Sequence, residues 1–222
     1  MNIPQDVLPW LLSLSGWLVY GLLMLYIIRR APWFKVMHDR HAQTVFFVAV
    51  ILLMLLWRFD ATIAPGLSFH FLGATIITLM FGHQFAMMAL SLALLGVTLD
   101  GETGWDAFGI NILFMGALPV YTTWFAWVLA QKYLSKHFFV YTFINSFLVG
   151  GLSMAVTILG LSVVLVWGDV QEWYKVQHEF LALLPMMAAP EAFINGFVMT
   201  VLVAFKPEWL ATFSDRDYLH GK

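Results

Sequence analysis

The sequence predicts an all-α, polytopic membrane protein: a bundle of about seven transmembrane helices. Three observations carry this reading. Hydrophobic residues make up 61% of the 222, and mean hydropathy is +0.83. Only 11% of residues are charged, where a soluble domain has about a quarter, so water is not the solvent for most of this surface. The apolar runs are long and unbroken, whereas a membrane β-barrel would alternate over short strands.

The first predicted span is Trp10–Ile28, closed by Arg29 and Arg30. The second is Thr44–Trp57, followed by Arg58 and the turn Pro65-Gly66. Two short apolar arms come next, Phe71–Phe81 and Phe85–Val97, separated by the polar break Gly82-His83-Gln84. At ~1.5 Å per residue such arms reach only about 17–20 Å, short of a bilayer core of ~30 Å. They suit the wall of a pocket, with His70 near its rim and the break at its floor. Whether they make two crossings or a re-entrant hairpin is open at this level. An acidic, glycine-rich loop from Asp100 to Asp106 leads to the fifth span, Phe108–Ala130. The sixth is Phe138–Trp167 and the seventh Phe180–Phe205. Residues 1–205 thus read as a single integral membrane domain, and the polar residues 206–222 as a cytoplasmic tail.

Charge orients the bundle. With the N-terminus outside and seven crossings, the cytoplasmic segments hold Arg29, Arg30, Lys35, Arg40, Lys132, Lys136, Lys206, Arg216 and Lys222. The outside holds only Arg58 and Lys175. Basic residues concentrate on the cytoplasmic side of membrane proteins, so the expected location is the cytoplasmic (inner) membrane, multi-pass, with the C-terminus inside. The opening MNIPQDVLPW lacks a basic n-region, so the first helix is expected to be retained.

Several chemistries find no support. There is no GxxxxGK phosphate loop, no HExxH and no GxSxG, so neither an ATPase nor a common hydrolase is expected. A net charge of −2 gives no sign of nucleic acid, and the absence of cysteine removes thiolate sites. Among the seven histidines, His70 stands beside the Pro-Gly turn. Its imidazole suits a first-row metal, or else faces lipid headgroups. Glu191 is the carboxylate deepest in an apolar run. A charge there is costly and needs a partner; it serves either a substrate or backbone groups freed by Pro190. Asn111, Asn195 and Gln84 read as interhelical bridges. Small residues at Ala89/Ala93, Ala126/Ala130 and Gly151/Ala155 allow close packing. An intramembrane enzyme built on Glu191 and His70 is a further alternative, with no reaction named by the sequence. An uncleaved Met1 would offer an α-amine. With a deprotonated amide and an imidazole it makes a nitrogen-rich site that suits Ni(II) or Cu(II).

Three sequence features carry a resemblance. The opening MNIP is similar to an M-H-I-x-[DE] start. His70-Phe71-Leu72-Gly73-Ala74, Phe81-Gly82, Asp100-Gly101 and Gly109–Gly116 follow an H-L-x-G-A … L-G-P … D-G-G … G-A-N-x-x-N-M-G order. Pro190–Gly196 is similar to G-x-x-E-A-x-I-T. In this the chain resembles the CbiM/NikM family, the membrane substrate-binding subunits of energy-coupling factor transporters for cobalt and nickel. It departs from that pattern at Asn2, where the family has histidine, at Phe114 for its second asparagine, and at His83 for its proline.

The resemblance implies a seven-helix bundle with an N-terminal arm, residues 1–9, folded back into it. It implies a transition metal ion as substrate, cobalt or nickel first and copper or zinc as alternatives. The implied metal-binding residues are Met1, Asn2 and His70, with Asn111, Glu191 and Gly73 in support. It implies a non-enzymatic permease subunit that works with a separate ATPase and a transmembrane coupling (T) subunit in the lipid bilayer. Asn2 favours one alternative: a non-transporting scaffold or assembly factor of the same fold with a degenerate metal site.

Overall fold

Apolar length and composition give six helical stretches able to cross a bilayer: Trp10–Arg30, Arg40–Arg58, Ala74–Leu99, Phe108–Tyr133, Val140–Trp167 and Trp173–Phe205. The computed structural model describes residues 3, 5–59, 61–64, 67–214 and 218, with backbone alone at 35, 61–64, 67 and 68. Helix α1 is Trp10–Arg30, the short α2 is Phe34–Met37, and α3 is Arg40–Arg58. A small antiparallel hairpin pairs β1, Ala61–Ala64, with β2, Leu67–Phe69, in the register Ala61 to Phe69. Helix α4 is Ala74–Leu99. Helix α5, Phe108–Ile112, continues through a π-helical turn into α6, Leu118–Tyr133. A π-helical stretch, Val140–Leu148, leads into α7, Val149–Trp167. After α8, Trp173–Lys175, two irregular turns lead to α9, Leu184–Phe205.

The third stretch is not one straight rod. Gly82 sits at φ 77°, ψ 165° inside α4, and the chain reverses there. Leu53 packs at Gly73, before the first arm, while its neighbour Met54 packs at Gly96, near the end of the second. Phe46 touches both Phe81 and Phe85. A straight helix would hold Gly73 and Gly96 about 34 Å apart. The described chain therefore passes through the bundle seven times, and the polar break marks a true turn. The first arm becomes helical only at Ala74, because Gly73 takes a left-handed φ of 64° and serves as its N-cap.

This reversal sorts the bundle into two ends. At the hairpin end, Arg58 pairs with Asp100 at 2.8 Å and Phe69 stacks on Phe180. At the Gly82 end, Ala211 N–H donates to the Met80 carbonyl at 2.8 Å. Arg29, Arg30, Arg40, Lys132, Lys136 and Lys206 lie at the Gly82 end, and Arg58 and Lys175 at the other. Both arms of α4 form the core, while on α1 only Gly16 and Ile27 are buried. Close packing of α7 on α9 relies on Gly151, which faces Ala188 and Ala192. The described residues after α9 are partly packed on the bundle. Leu210, Thr212, Phe213 and Tyr218 are buried against the bundle.

An alanine Cβ at Gly82 would meet no atom within 4 Å, so only backbone strain opposes it. Gly82→Ala is expected to cost about 1–3 kcal/mol, read by thermal unfolding in detergent. Gly21→Ala, on the open face of α1, should instead gain up to about 1 kcal/mol.

Candidate functional site

The chain between β2 and α4 is irregular backbone inside an apolar bundle. Such backbone is tolerated only where its polar groups find partners. Here the partners come from α9. The Glu191 Oε2 accepts from Leu72 N–H at 3.0 Å, and Oε1 from Gly73 N–H at 2.9 Å. Asn195, one helical turn on, donates from Nδ2 to Oε1 at 2.9 Å and accepts Ile76 N–H at 3.0 Å. Both oxygens of Glu191 act as acceptors, the bonding pattern of a carboxylate. Glu191 and Asn195 together cap the first arm of α4, whose free N–H groups form the positive end of a helix. The groups freed by Pro190 are not the partners of this carboxylate.

The loop thus held carries His70. It is 2% exposed, so it lies inside the bundle and not at a rim. Its ring lies 5.3 Å from that of Trp57, whose Nε1–H donates to the Leu72 carbonyl at 3.1 Å. His70 Nδ1 lies 3.1 Å from the Phe71 carbonyl. Burial away from water favours the neutral form of the ring. A carbonyl only accepts, so the proton sits on Nδ1 and the lone pair on Nε2. That Nε2 is buried and has no partner among the described residues. An imidazole whose Nδ1–H is held by a carbonyl, leaving Nε2 as the acceptor, has the form of a metal ligand.

The second component is Asn111, fully buried on α5. Its Oδ1 accepts Ile3 N–H at 3.0 Å, and its Nδ2 donates to the Ile3 carbonyl at 3.2 Å. One side chain therefore satisfies both backbone groups of residue 3, whose own side chain is 0% exposed. The acidic loop braces the same segment. Asp106 Oδ2 accepts Asp6 N–H at 3.1 Å, and the Asp106 carbonyl accepts the Ser13 hydroxyl. Met1 and Asn2, the other expected metal-binding residues, lie outside the described residues. Among the described residues no three His, Cys, Asp or Glu side chains converge.

The comparisons with known proteins bear on this geometry. A family model described as the cobalt uptake substrate-specific transmembrane region matches residues 2–209. The chain belongs to this CbiM family. A solved structure described as a truncated transition metal transporter aligns at TM-score 0.78 and 18% identity, covering 92% of this chain and 99% of that one. A second, described as a transition metal transporter, aligns at 0.78 and 18%, covering 92% and 93%. At that identity the likeness speaks for the fold. No curated protein sequence matches significantly.

Asn195 and Trp57 were not singled out as site residues by sequence reasoning. The spacing of four between Glu191 and Asn195 was the available signal, since it puts both on one helix face. Nothing local marked Trp57, because its partner is 15 residues away.

Replacing Glu191 by alanine leaves the Leu72 and Gly73 amides unpaired in the interior, at about 1–3 kcal/mol for each. Glu191→Ala should therefore lower the thermal midpoint in detergent sharply. Glu191→Gln, which keeps one acceptor oxygen, should lower it less.

Proposed function

We propose that this CbiM-family chain is the membrane substrate-binding subunit of an energy-coupling factor type ABC transporter for a transition metal ion, cobalt or nickel. The ligand set proposed is the Met1 α-amine, the Asn2 backbone amide and His70 Nε2. One observation carries the reading: His70 Nε2 is a buried imidazole nitrogen with no hydrogen-bond partner among the described residues. The grip of Asn111 on Ile3 adds to it, because it anchors the N-terminal segment two residues from the amine. It also narrows the donors. The Ile3 amide keeps its proton for Asn111, so only the Asn2 amide remains to be deprotonated by a metal. An amine, an amide and an imidazole make a tetragonal nitrogen set that suits Ni(II) or Cu(II).

Partners follow from what the chain lacks. Its sequence has no phosphate-binding loop, so an ATPase and a T-type coupling subunit must supply the energy. The basic Gly82 end faces the cytoplasm by the positive-inside rule. On this reading the hairpin end, nearer His70, faces the outer side of the membrane, and capture occurs from that side. Asn2 supports a second reading, a scaffold or assembly factor with a degenerate site, since an amide side chain is a poor substitute for imidazole.

Spectroscopic titration of the purified protein with Co, Ni, Cu and Zn separates these. The transporter reading expects saturable binding of at least one ion. His70→Ala should weaken it by more than the roughly 10–100-fold that losing an outer-shell partner costs. Two extra residues ahead of Met1 should weaken it similarly. Equal, poor binding of all four ions by wild type and His70→Ala would remove the transporter reading. Binding that appears only in Asn2→His would favour the scaffold.

A further inference from the structure

The first arm of α4, Ala74–Phe81, is held at both ends by one stretch of chain, α9 and the residues that follow it. At the hairpin end the holders are Glu191 and Asn195. At the other end, the break at Gly82 deprives the Leu79 and Met80 carbonyls of helical partners. Thr212 and Ala211 supply them. The Thr212 hydroxyl donates to the Leu79 carbonyl at 2.7 Å, and Ala211 N–H to the Met80 carbonyl at 2.8 Å. Having given its one proton to Leu79, Thr212 accepts from the Tyr141 hydroxyl at 2.7 Å. Tyr141 is 0% exposed, so this relay lies in the interior. Trp209 Nε1–H donates to His41 Nε2 at 3.0 Å and ties the same segment to α3.

An eight-residue helical arm is about 12 Å long and does not stretch. Its axial position relative to α9 is fixed by these bonds, and a slip at one end is delivered to the other. The end it reaches is Gly73, three residues from His70. Beside the Thr212 clasp lies a cavity of about 330 Å³ lined by Met80, Gly82, Gln84, Trp209, Ala211 and Thr212. The clasp is therefore not packed on every side.

We propose that Thr212 is a positioning residue of the His70 site. Acting from the opposite end of the bundle, it sets the height of the His70 loop through the rigid arm. The part of this inference that concerns metal rests on the transporter reading; the mechanical part does not.

The test compares Thr212→Val and Thr212→Ser with Thr142→Val, which removes a hydroxyl bonded, among the described residues, to carbonyls of its own turn. Hydrogen exchange at the Leu72, Gly73 and Ile76 amides is read alongside Co and Ni affinity and the thermal midpoint. Thr212→Val should speed exchange at those three amides about tenfold and weaken affinity about tenfold, the low end for an outer-shell partner. Thr212→Ser should restore both, and Thr142→Val should change neither. Tyr141→Phe, which leaves the Thr212–Leu79 bond intact, should shift both in the same direction by less, and serves if Thr212→Val does not fold. Unchanged exchange and affinity in both Thr212→Val and Tyr141→Phe, whatever the midpoint does, would overturn the proposal. If wild type binds none of Co, Ni, Cu and Zn, the transporter reading fails, and the exchange data alone decide whether the arm transmits.

Discussion

A carboxylate that accepts backbone N–H groups deep in an apolar bundle is the constraint from which the rest of this structure follows. Glu191 is fully buried, and it meets Leu72 and Gly73 where no water is at hand to do so. In a membrane each unsatisfied backbone group is expensive, so helices are normally continuous across it. This chain stops being helical between Phe69 and Ala74 and still remains inside. Glu191, Asn195 and Trp57 supply the partners that helix geometry would have supplied. His70 Nε2 remains a buried side-chain atom with no partner among the described residues.

The same logic governs the other end of the arm. Gly82 is free to adopt its positive φ because it lacks a Cβ, and the reversal leaves carbonyls where the loop left amides. A second set of side-chain and backbone donors from the residues after α9 meets them. A short helix inside a bundle thus needs partners at both ends. Here both ends draw on one contiguous run of sequence, so the arm and α9 behave as one frame. The irregular segment therefore need not be a loose one.

Much of this was legible in the sequence because it depends on local pattern. The spans follow from apolar runs, and the polar break follows from Gly82-His83-Gln84. His70, Asn111 and Glu191 stood out because each is a polar residue in or beside an apolar stretch. Their partners were not legible, since every decisive bond joins residues far apart in the chain. Glu191 meets Leu72 across 119 positions, and Asn111 meets Ile3 across 108. The depth of His70 is not legible in the sequence for the same reason. Its distance from the Pro-Gly turn suggests a rim, but Trp57 and the loop fold over it. The polar composition after Lys206 hid the role of Thr212, because a single hydroxyl that caps a distant helix looks like any tail residue.

Asn111 shows how such long-range bonds restrict chemistry as well as shape. By gripping both the N–H and the C=O of Ile3 it reads backbone and ignores side-chain identity. A grip of that kind fixes the register of the segment while leaving the sequence ahead of it free to vary. Both of these Asn111 bonds end on the backbone of residue 3, so neither calls for a particular side chain there. The same grip removes the residue-3 amide from any set of metal donors, because coordination would require the proton that Asn111 already holds. What the proposed site can offer a metal is therefore decided by residues 1, 2 and 70. The fold can stay constant while the chemistry of those three positions changes.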